Sequence, residues 1–229
     1  MSDLPDAWKP TPPHAGRRYV VGASDIAAIM NADPFRSAVE AHRQRVDNDP
    51  FIGNEDTERG QHFEDATCGW YCSKWVANVP LSEVRKQVKL RHPKHDWCVA
   101  TPDMVLRAVP IQQTEPLLLC VDVKCPRSPS KPVKGGGYEK KWDEGTQTAP
   151  LGYRLQSIWQ QGVARASGLE CEGGELAAGL FFGKLHRVFV PWDGELFELM
   201  IERAEEWLSY VKSGQPLPAH FHPQEQPNE

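Results

Sequence analysis

Asp103, Asp122 and Lys124 are the residues of this chain whose types and spacing could do chemistry. Asp103 closes the stretch Ala100-Thr101-Pro102-Asp103, while Asp122 and Lys124 lie in Val121-Asp122-Val123-Lys124. Each stretch is embedded in a strand-like apolar run. Alternation along a strand sends residues i and i+2 to one face, so Asp122 and Lys124 share a side. If the strand carrying Asp103 pairs beside them, two carboxylates and one ammonium meet at one point. A divalent cation and a water held at such a point can attack a phosphodiester.

The bland alternative is chance, because aspartate and lysine are common and a short motif has many false matches. The location of the charges argues against it. Leu117-Leu118-Leu119-Cys120-Val121 reads as a buried strand and leads straight into Asp122. A charge there is costly unless it is paired or bound to a metal.

The elements that must position these residues can be read along the chain. Residues 1–16 are rich in Pro and polar residues and predict an extended N-terminal arm. Gly22-Ala23-Ser24-Asp25 opens a short helix, Ile26 to Met30, with Ser24 or Asp25 as its N-cap. A second helix is expected from Ser37 to Val46. A third is capped by Asn54 and runs through Trp75, with Phe63, Thr67, Trp70 and Tyr71 on its inward stripe and Glu64 adjoining. Strands are expected over Glu83 to Arg91, Trp97 to Arg107 and Leu117 to Lys124. Residues 125–152, loaded with Pro, Gly and Lys, predict a mobile loop. A helix over Tyr153 to Ser167 follows, then strands over Leu176 to Phe182 and His186 to Pro191, and a helix capped by Asp193 that runs through Val211. Residues 214–229 predict a disordered tail, leaving one domain over 17–213. The order gives an α/β fold with a central mixed β-sheet flanked by helices.

Composition is compatible with this plan. A chain of 229 residues, 40% hydrophobic and 25% charged, suits one substantial globular domain. No apolar run reaches the length of a membrane span and no signal-like start is present, so a cytoplasmic protein is expected. Cys68 and Cys72 lie one helical turn apart, but no second pair completes a zinc or iron–sulfur site, and the six cysteines read as reduced, buried thiols. The net charge of −5 does not favour a nucleic-acid partner. Its distribution matters more: Lys124, Arg127, Lys131, Lys134, Lys140 and Lys141 face Glu139 alone between positions 124 and 141. A basic loop beside an acidic cluster suits a nuclease, though a solvated loop would look the same. Trp142 in that loop is the candidate for stacking on DNA, whereas Trp70, Trp159 and Trp207 read as core. His92 and His95 read as turn residues, and His220 and His222 as tail. Gly135-Gly136-Gly137 lacks the context of a phosphate-binding loop.

Four segments together resemble a known set. Glu64 in its helix, Thr101-Pro102-Asp103, Asp122-Val123-Lys124-Cys125-Pro126 and Tyr153-Arg154-Leu155-Gln156 resemble, in order, the motifs of the PD-(D/E)XK nucleases. More narrowly they resemble phage lambda exonuclease and its YqaJ-like viral recombinase relatives, over roughly Arg17 to Leu169. The resemblance implies a restriction-endonuclease-like core. It implies a Mg²⁺-dependent, processive 5′→3′ exonuclease that degrades one strand of duplex DNA, releases 5′-mononucleotides and leaves a 3′ single-stranded tail. It further implies a homotrimer, a single-strand annealing partner in homologous recombination, and a phage or prophage protein acting in the bacterial cytoplasm.

Site roles follow from the same resemblance. Asp103, Asp122, Lys124 and Glu64 are implied to be catalytic. Two Mg²⁺ ions, with Mn²⁺ as a substitute, would be held by Glu64, Asp103, Asp122 and the carbonyl of Val123, all hard oxygen donors. Lys124 would orient the attacking water. Ser24, at a helix start, and Arg17, seven residues upstream, match the family's 5′-phosphate contacts, with Arg18 a neighbouring competitor; Ser24 could equally be a plain cap and Arg17 a surface residue. Tyr153 and Gln156, three apart on one helix face, are implied to touch the substrate. Asp122 stands where many relatives have glutamate, which moves the carboxylate by one methylene. Two other functions fit the same residues: a structure-specific endonuclease or resolvase, and a catalytically silent DNA-binding scaffold. The complete acidic set argues against the scaffold.

Overall fold

A computed structural model of the chain describes residues 17–48, 54–75, 84–126, 130–132, 138–140, 142–143, 145–179 and 184–222. In chain order the elements are helices α1 (Ala23–Ile29), α2 (Ala38–Val46) and α3 (Glu55–Trp75), then strands β1 (Arg85–Lys86), β2 (Leu90–Arg91), β3 (Val99–Ala100), β4 (Met104–Ala108), β5 (Leu117–Lys124), β6 (Ser130–Pro132) and β7 (Tyr138–Lys140). Helix α4 (Leu151–Ala166), strands β8 (Gly173–Gly179) and β9 (Leu185–Pro191), and helix α5 (Gly194–Ser213) complete the described α-helices and β-strands.

The central sheet has the order β1-β4-β5-β8-β9. Only the β5–β8 pair is parallel. A parallel pair needs a long crossover, and α4 supplies it. Strand β5 is covered on both faces, which explains its unbroken apolar run. Cys120 packs with Trp159, Leu176, Val188 and Phe197 beneath α1, α4 and α5. Leu119, Val121 and Val123 pack with Tyr71, Met104 and Ala177 beneath α3. Helix α4 lies so close to β8 that a Cβ at Gly174 would fall on the Ser157 hydroxyl and the Gln161 amide. Only glycine fits there. On the α3 face, buried Glu175 accepts a hydrogen bond from the Tyr71 hydroxyl at 2.5 Å and pairs with Arg187 at 2.8 Å.

Several expectations need correction. Helix α1 begins earlier than its sequence suggests, and Gly22, not Ser24 or Asp25, is its N-cap. Asp25 sits in the first turn, where its Oδ2 accepts the Gly22 N–H at 3.1 Å. The first two strand runs are each broken. Gln87 adopts a left-handed φ of 51° between β1 and β2, and Pro102-Asp103 separates β3 from β4. The expected loop over 125–152 contains the β6–β7 hairpin, and Trp142 within it is 2% exposed, stacked on Tyr153 with ring centroids 5.7 Å apart. It is core, not a free DNA-stacking ring. Phe63 is 37% exposed and off the inward stripe, which is made by Thr67, Cys68 and Tyr71.

The domain also runs further than 213. Phe221 is fully buried, with the Arg203 guanidinium 3.9 Å above its ring, so 214–222 belong to the fold. The expected arm over 1–16 and the last residues, 223–229, lie outside the described residues. So do the side chains of Arg127, Lys131, Lys134, Lys140 and Lys141. The caps at Asn54 and Asp193 are as expected, each accepting a first-turn N–H at 3.0 Å, while Ser37, expected as the first residue of its helix, is the cap of α2 and accepts the Glu40 N–H at 3.1 Å.

Candidate active site

The β4–β5 register, in which Met104 faces Val121, brings Asp103 level with Asp122 at one end of the sheet. Asp103 Oδ2 accepts the Val123 backbone N–H at 2.7 Å, which locks the aspartate across the strand gap. Asp122 is 3% exposed. Its Oδ2 lies 2.5 Å from Lys124 Nζ, and its Oδ1 accepts a hydrogen bond from Gln160 Nε2 of α4 at 3.2 Å. The Lys124 ammonium also sits 5.1 Å from the centroid of the Tyr153 ring. The period-2 and period-3.6 patterns therefore converge: β5 turns Asp122 and Lys124 toward α4, and α4 returns Tyr153 and Gln160.

Glu64 approaches from α3. Gln87 Nε2 donates to Glu64 Oε1 at 2.6 Å and to Asp103 Oδ1 at 3.3 Å, and the Gln87 backbone N–H donates to the Asp103 carbonyl at 3.0 Å. The acids thus form a chain, Glu64–Gln87–Asp103, beside the Asp122–Lys124 pair.

The electrostatics follow from this crowding. Burial, then the neighbouring Asp122 carboxylate, push Asp103 up to about 8. Burial alone would lower Lys124, but the Asp122 and Asp103 carboxylates outweigh it and hold Lys124 above the ordinary lysine range. It stays an ammonium. Burial raises Tyr153 as well, so its phenol keeps its proton. The site carries more negative charge than it comfortably holds, and its donors at Asp103, Asp122 and Glu64 are all hard oxygens. Among the described residues no three His, Cys, Asp or Glu side chains form a ready-made metal cage. An open oxygen set fits Mg²⁺, which keeps several of its waters.

Of the residues expected in the site, Glu64, Asp103, Asp122, Val123, Lys124 and Tyr153 come together. Gln156 is on the same helix but makes no hydrogen bond with another described residue; Gln160, one turn on, is the glutamine that reaches the acids. The repeat of glutamine at four-residue spacing was the available signal for Gln160. Gln87 had none, because its position reads as strand interior.

The expected phosphate contacts fall at the start of α1 and just before it, with no hydrogen bond to Glu64, Asp103 or Asp122 among the described residues. Ser24 is exposed and its carbonyl accepts a hydrogen bond from Arg36 Nη2 at 3.1 Å. Arg36 and Arg45 clamp Asp25 at 3.1 and 2.8 Å. Burial opposes ionisation of Asp25, yet Arg45 and Arg36 hold its carboxyl below the usual range. Arg18 is committed to the Val46 carbonyl at 3.0 Å, and the Arg17 side chain lies outside the described residues. The cysteines are free thiols among the described residues, and burial pushes Cys68 up to about 12, well clear of reactivity. No described helix is long and apolar enough to cross a membrane.

A mixed sheet flanked by helices, with an Asp and an Asp-x-Lys meeting at the end of two neighbouring strands, defines the PD-(D/E)XK class of nuclease folds. Within it, this chain belongs to the YqaJ-like viral recombinase domain family, whose model matches residues 14–167. The fold is similar to that of LHK-Exo, an alkaline exonuclease from Laribacter hongkongensis, in its complex with dAMP: TM-score 0.58 at 16% identity, covering 87% of this chain and 91% of that one. It is also similar to a phage-related exonuclease from Haemophilus somnus 129PT, with TM-score 0.52 at 16% identity over 85% of this chain and 94% of that one. At such identities the likeness is one of fold. No curated protein matches the sequence.

Proposed function

We propose that the chain is a Mg²⁺-dependent 5′→3′ exonuclease on double-stranded DNA, releasing 5′-mononucleotides and leaving a 3′ single-stranded tail for phage-type recombination by strand annealing. The observation that carries the hydrolytic reading is the convergence of Asp103, Asp122, Lys124 and Glu64 at one end of the β4–β5 pair. Polarity, a homotrimeric ring, an annealing partner and action in the host cytoplasm are drawn from the family. LHK-Exo holds dAMP, and mononucleotide release here is in keeping with that.

Glu64, Asp103, Asp122 and the Val123 carbonyl would hold the cations, one or two Mg²⁺ with Mn²⁺ as a substitute. When bound, Mg²⁺ neutralises phosphate charge and makes water a better nucleophile. The chain's own residues do the rest. Lys124, kept charged by Asp122, donates hydrogen bonds that orient the water against the phosphorus and does not take its proton. Asp122 is held between Lys124 and Gln160, so its carboxylate stays fixed while charge moves in front of it. Tyr153 backs Lys124 from α4 and closes that side of the ammonium to bulk water. At α1, Ser24 and Arg17, with Arg36 fixed on the Ser24 carbonyl, supply the contact for a 5′-phosphate.

The direct test is digestion of linear duplex labelled at either end, with Mg²⁺ or EDTA, beside a covalently closed circle and a Lys124→Ala control. Expected are Mg²⁺-dependent loss from the 5′ end, a spared circle and an inactive variant. Cutting of the circle would make the protein an endonuclease. Failure to cleave either DNA would leave a binding protein.

A further inference from the structure

Gln87 belongs to none of the motifs that define the site, yet it stands inside the acidic cluster. It lies level with Asp103 across the β1–β4 pair, one step beyond the Lys86–Met104 rung. Its backbone is in the left-handed region at φ 51°, which an L-residue with a long side chain rarely adopts. Such a conformation costs free energy and persists only where its surroundings enforce it. Here the Gln87 N–H to Asp103 carbonyl bond at 3.0 Å enforces it, and the result is to aim an exposed side chain back at the acids. One amide nitrogen then serves two carboxylates, Glu64 at 2.6 Å and Asp103 at 3.3 Å.

The demand for that amide is clear from Glu64. It rides on α3, not on the sheet that fixes Asp103 and Asp122, and among the described residues it makes no other hydrogen bond or ion pair. A carboxylate oxygen has two lone pairs, so Glu64 and Asp103 can each accept from Gln87 and still face a cation. Hydrogen bonds that orient ligating carboxylates in this way commonly change metal affinity by 10- to 100-fold.

We infer that Gln87 is a positioning residue that ties Glu64 on α3 to Asp103 on the sheet and so assembles the oxygen set for the cation. This rests on the metal-dependent reading above. It assigns the donor role to Nε2, which reaches the Glu64 carboxylate at 2.6 Å and from which both acids can accept once a cation holds them ionised. It also accounts for a glutamine at a backbone position where glycine would be easier.

The test uses Mn²⁺ and Mg²⁺ titrations by calorimetry on the full-length chain without DNA, comparing wild type, Gln87→Gly and Asp103→Asn. Glycine is at ease at φ 51°, so Gln87→Gly should melt at or above the wild-type temperature without metal. The same variant should bind Mn²⁺ about 10- to 100-fold more weakly. Unchanged or tighter binding by Gln87→Gly, with Asp103→Asn impaired, would overturn the positioning role while leaving the metal site intact. Wild-type protein that binds neither ion would overturn the metal-dependent reading itself. A Gln87→Gly chain that melts well below wild type would show a structural role instead.

Discussion

Gln160 on α4 donates its Nε2–H to Asp122 Oδ1 at 3.2 Å, a contact between two buried side chains 38 residues apart. It means that the crossover helix, and not only the strand, sets the direction of the Asp122 carboxylate. Aspartate is one methylene shorter than the glutamate common at this motif position, and a second tether on its carboxylate fixes where the shorter arm points. Replacing Gln160 with alanine should lower the single-turnover cleavage rate by about 10- to 100-fold, as loss of an orienting partner does elsewhere. The stability cost should be about 1–3 kcal/mol, for an acceptor left unpaired in the interior. A rate equal to wild type would remove Gln160 from the site.

Asp103 gives the metal-free protein an unusual pH response. Its folded pKa, about 8, lies above its ordinary value of 3.8, so between about pH 4 and pH 8 the folded chain binds more protons than the unfolded one. Stability contributed by this group is therefore full at the acid end and lost as pH rises through the window. Melting temperature in EDTA should fall over that range, and Asp103→Asn should flatten the fall. Mg²⁺ should restore stability most strongly near pH 8. A metal-free profile that rises toward pH 8 would count against a buried Asp103 crowded by Asp122.

Asp25 behaves in the opposite sense. Its folded pKa is depressed, so the stability it contributes is present at neutral pH and lost as pH falls through the folded value. Asp25→Ala removes the buried carboxylate that Arg36 and Arg45 share, at a cost of roughly 3 kcal/mol. Urea unfolding at pH 7 and at pH 3 would check this: the difference between wild type and variant should shrink at the lower pH.

Trp142 distinguishes a core role from a DNA-binding role. Truncation to alanine should cost about 3–5 kcal/mol, as for other buried tryptophans. At a temperature where the variant remains folded, its affinity for duplex ends should match wild type. Fluorescence quenching of Trp142 by added DNA, with no effect of its removal on stability, would reverse that assignment.

Much of this site could be read before any coordinates because its signals are local. A period of two places Asp122 and Lys124 on one face whatever surrounds them, and the cap residues Asn54 and Asp193 act within one turn. What escaped the sequence depends on partners far along the chain. Gly22 caps α1 because Asp25, drawn inward by Arg36 and Arg45, spends its oxygen on the Gly22 N–H. Trp142 and Phe221 look like loop and tail residues until Tyr153 and Arg203 cover them. Gln87 is invisible to a pattern of alternation because its left-handed backbone breaks the alternation itself. The strand runs either side of it have the right composition, and only the register with β4 shows where they stop.

The parallel β5–β8 pair also governs when the site can exist. Its first rung pairs Leu119 with Gly173, and closing a loop of that size is slow beside forming a hairpin. The β4–β5 pair, which sets Asp103 level with Asp122, joins Met104 to Val121 and so needs only local sequence. Gln160 and Tyr153 arrive only when the crossover has folded back. A chain still emerging from the ribosome thus carries its acids before Gln160 and Tyr153 can reach them, and the complete site waits for nearly the whole domain.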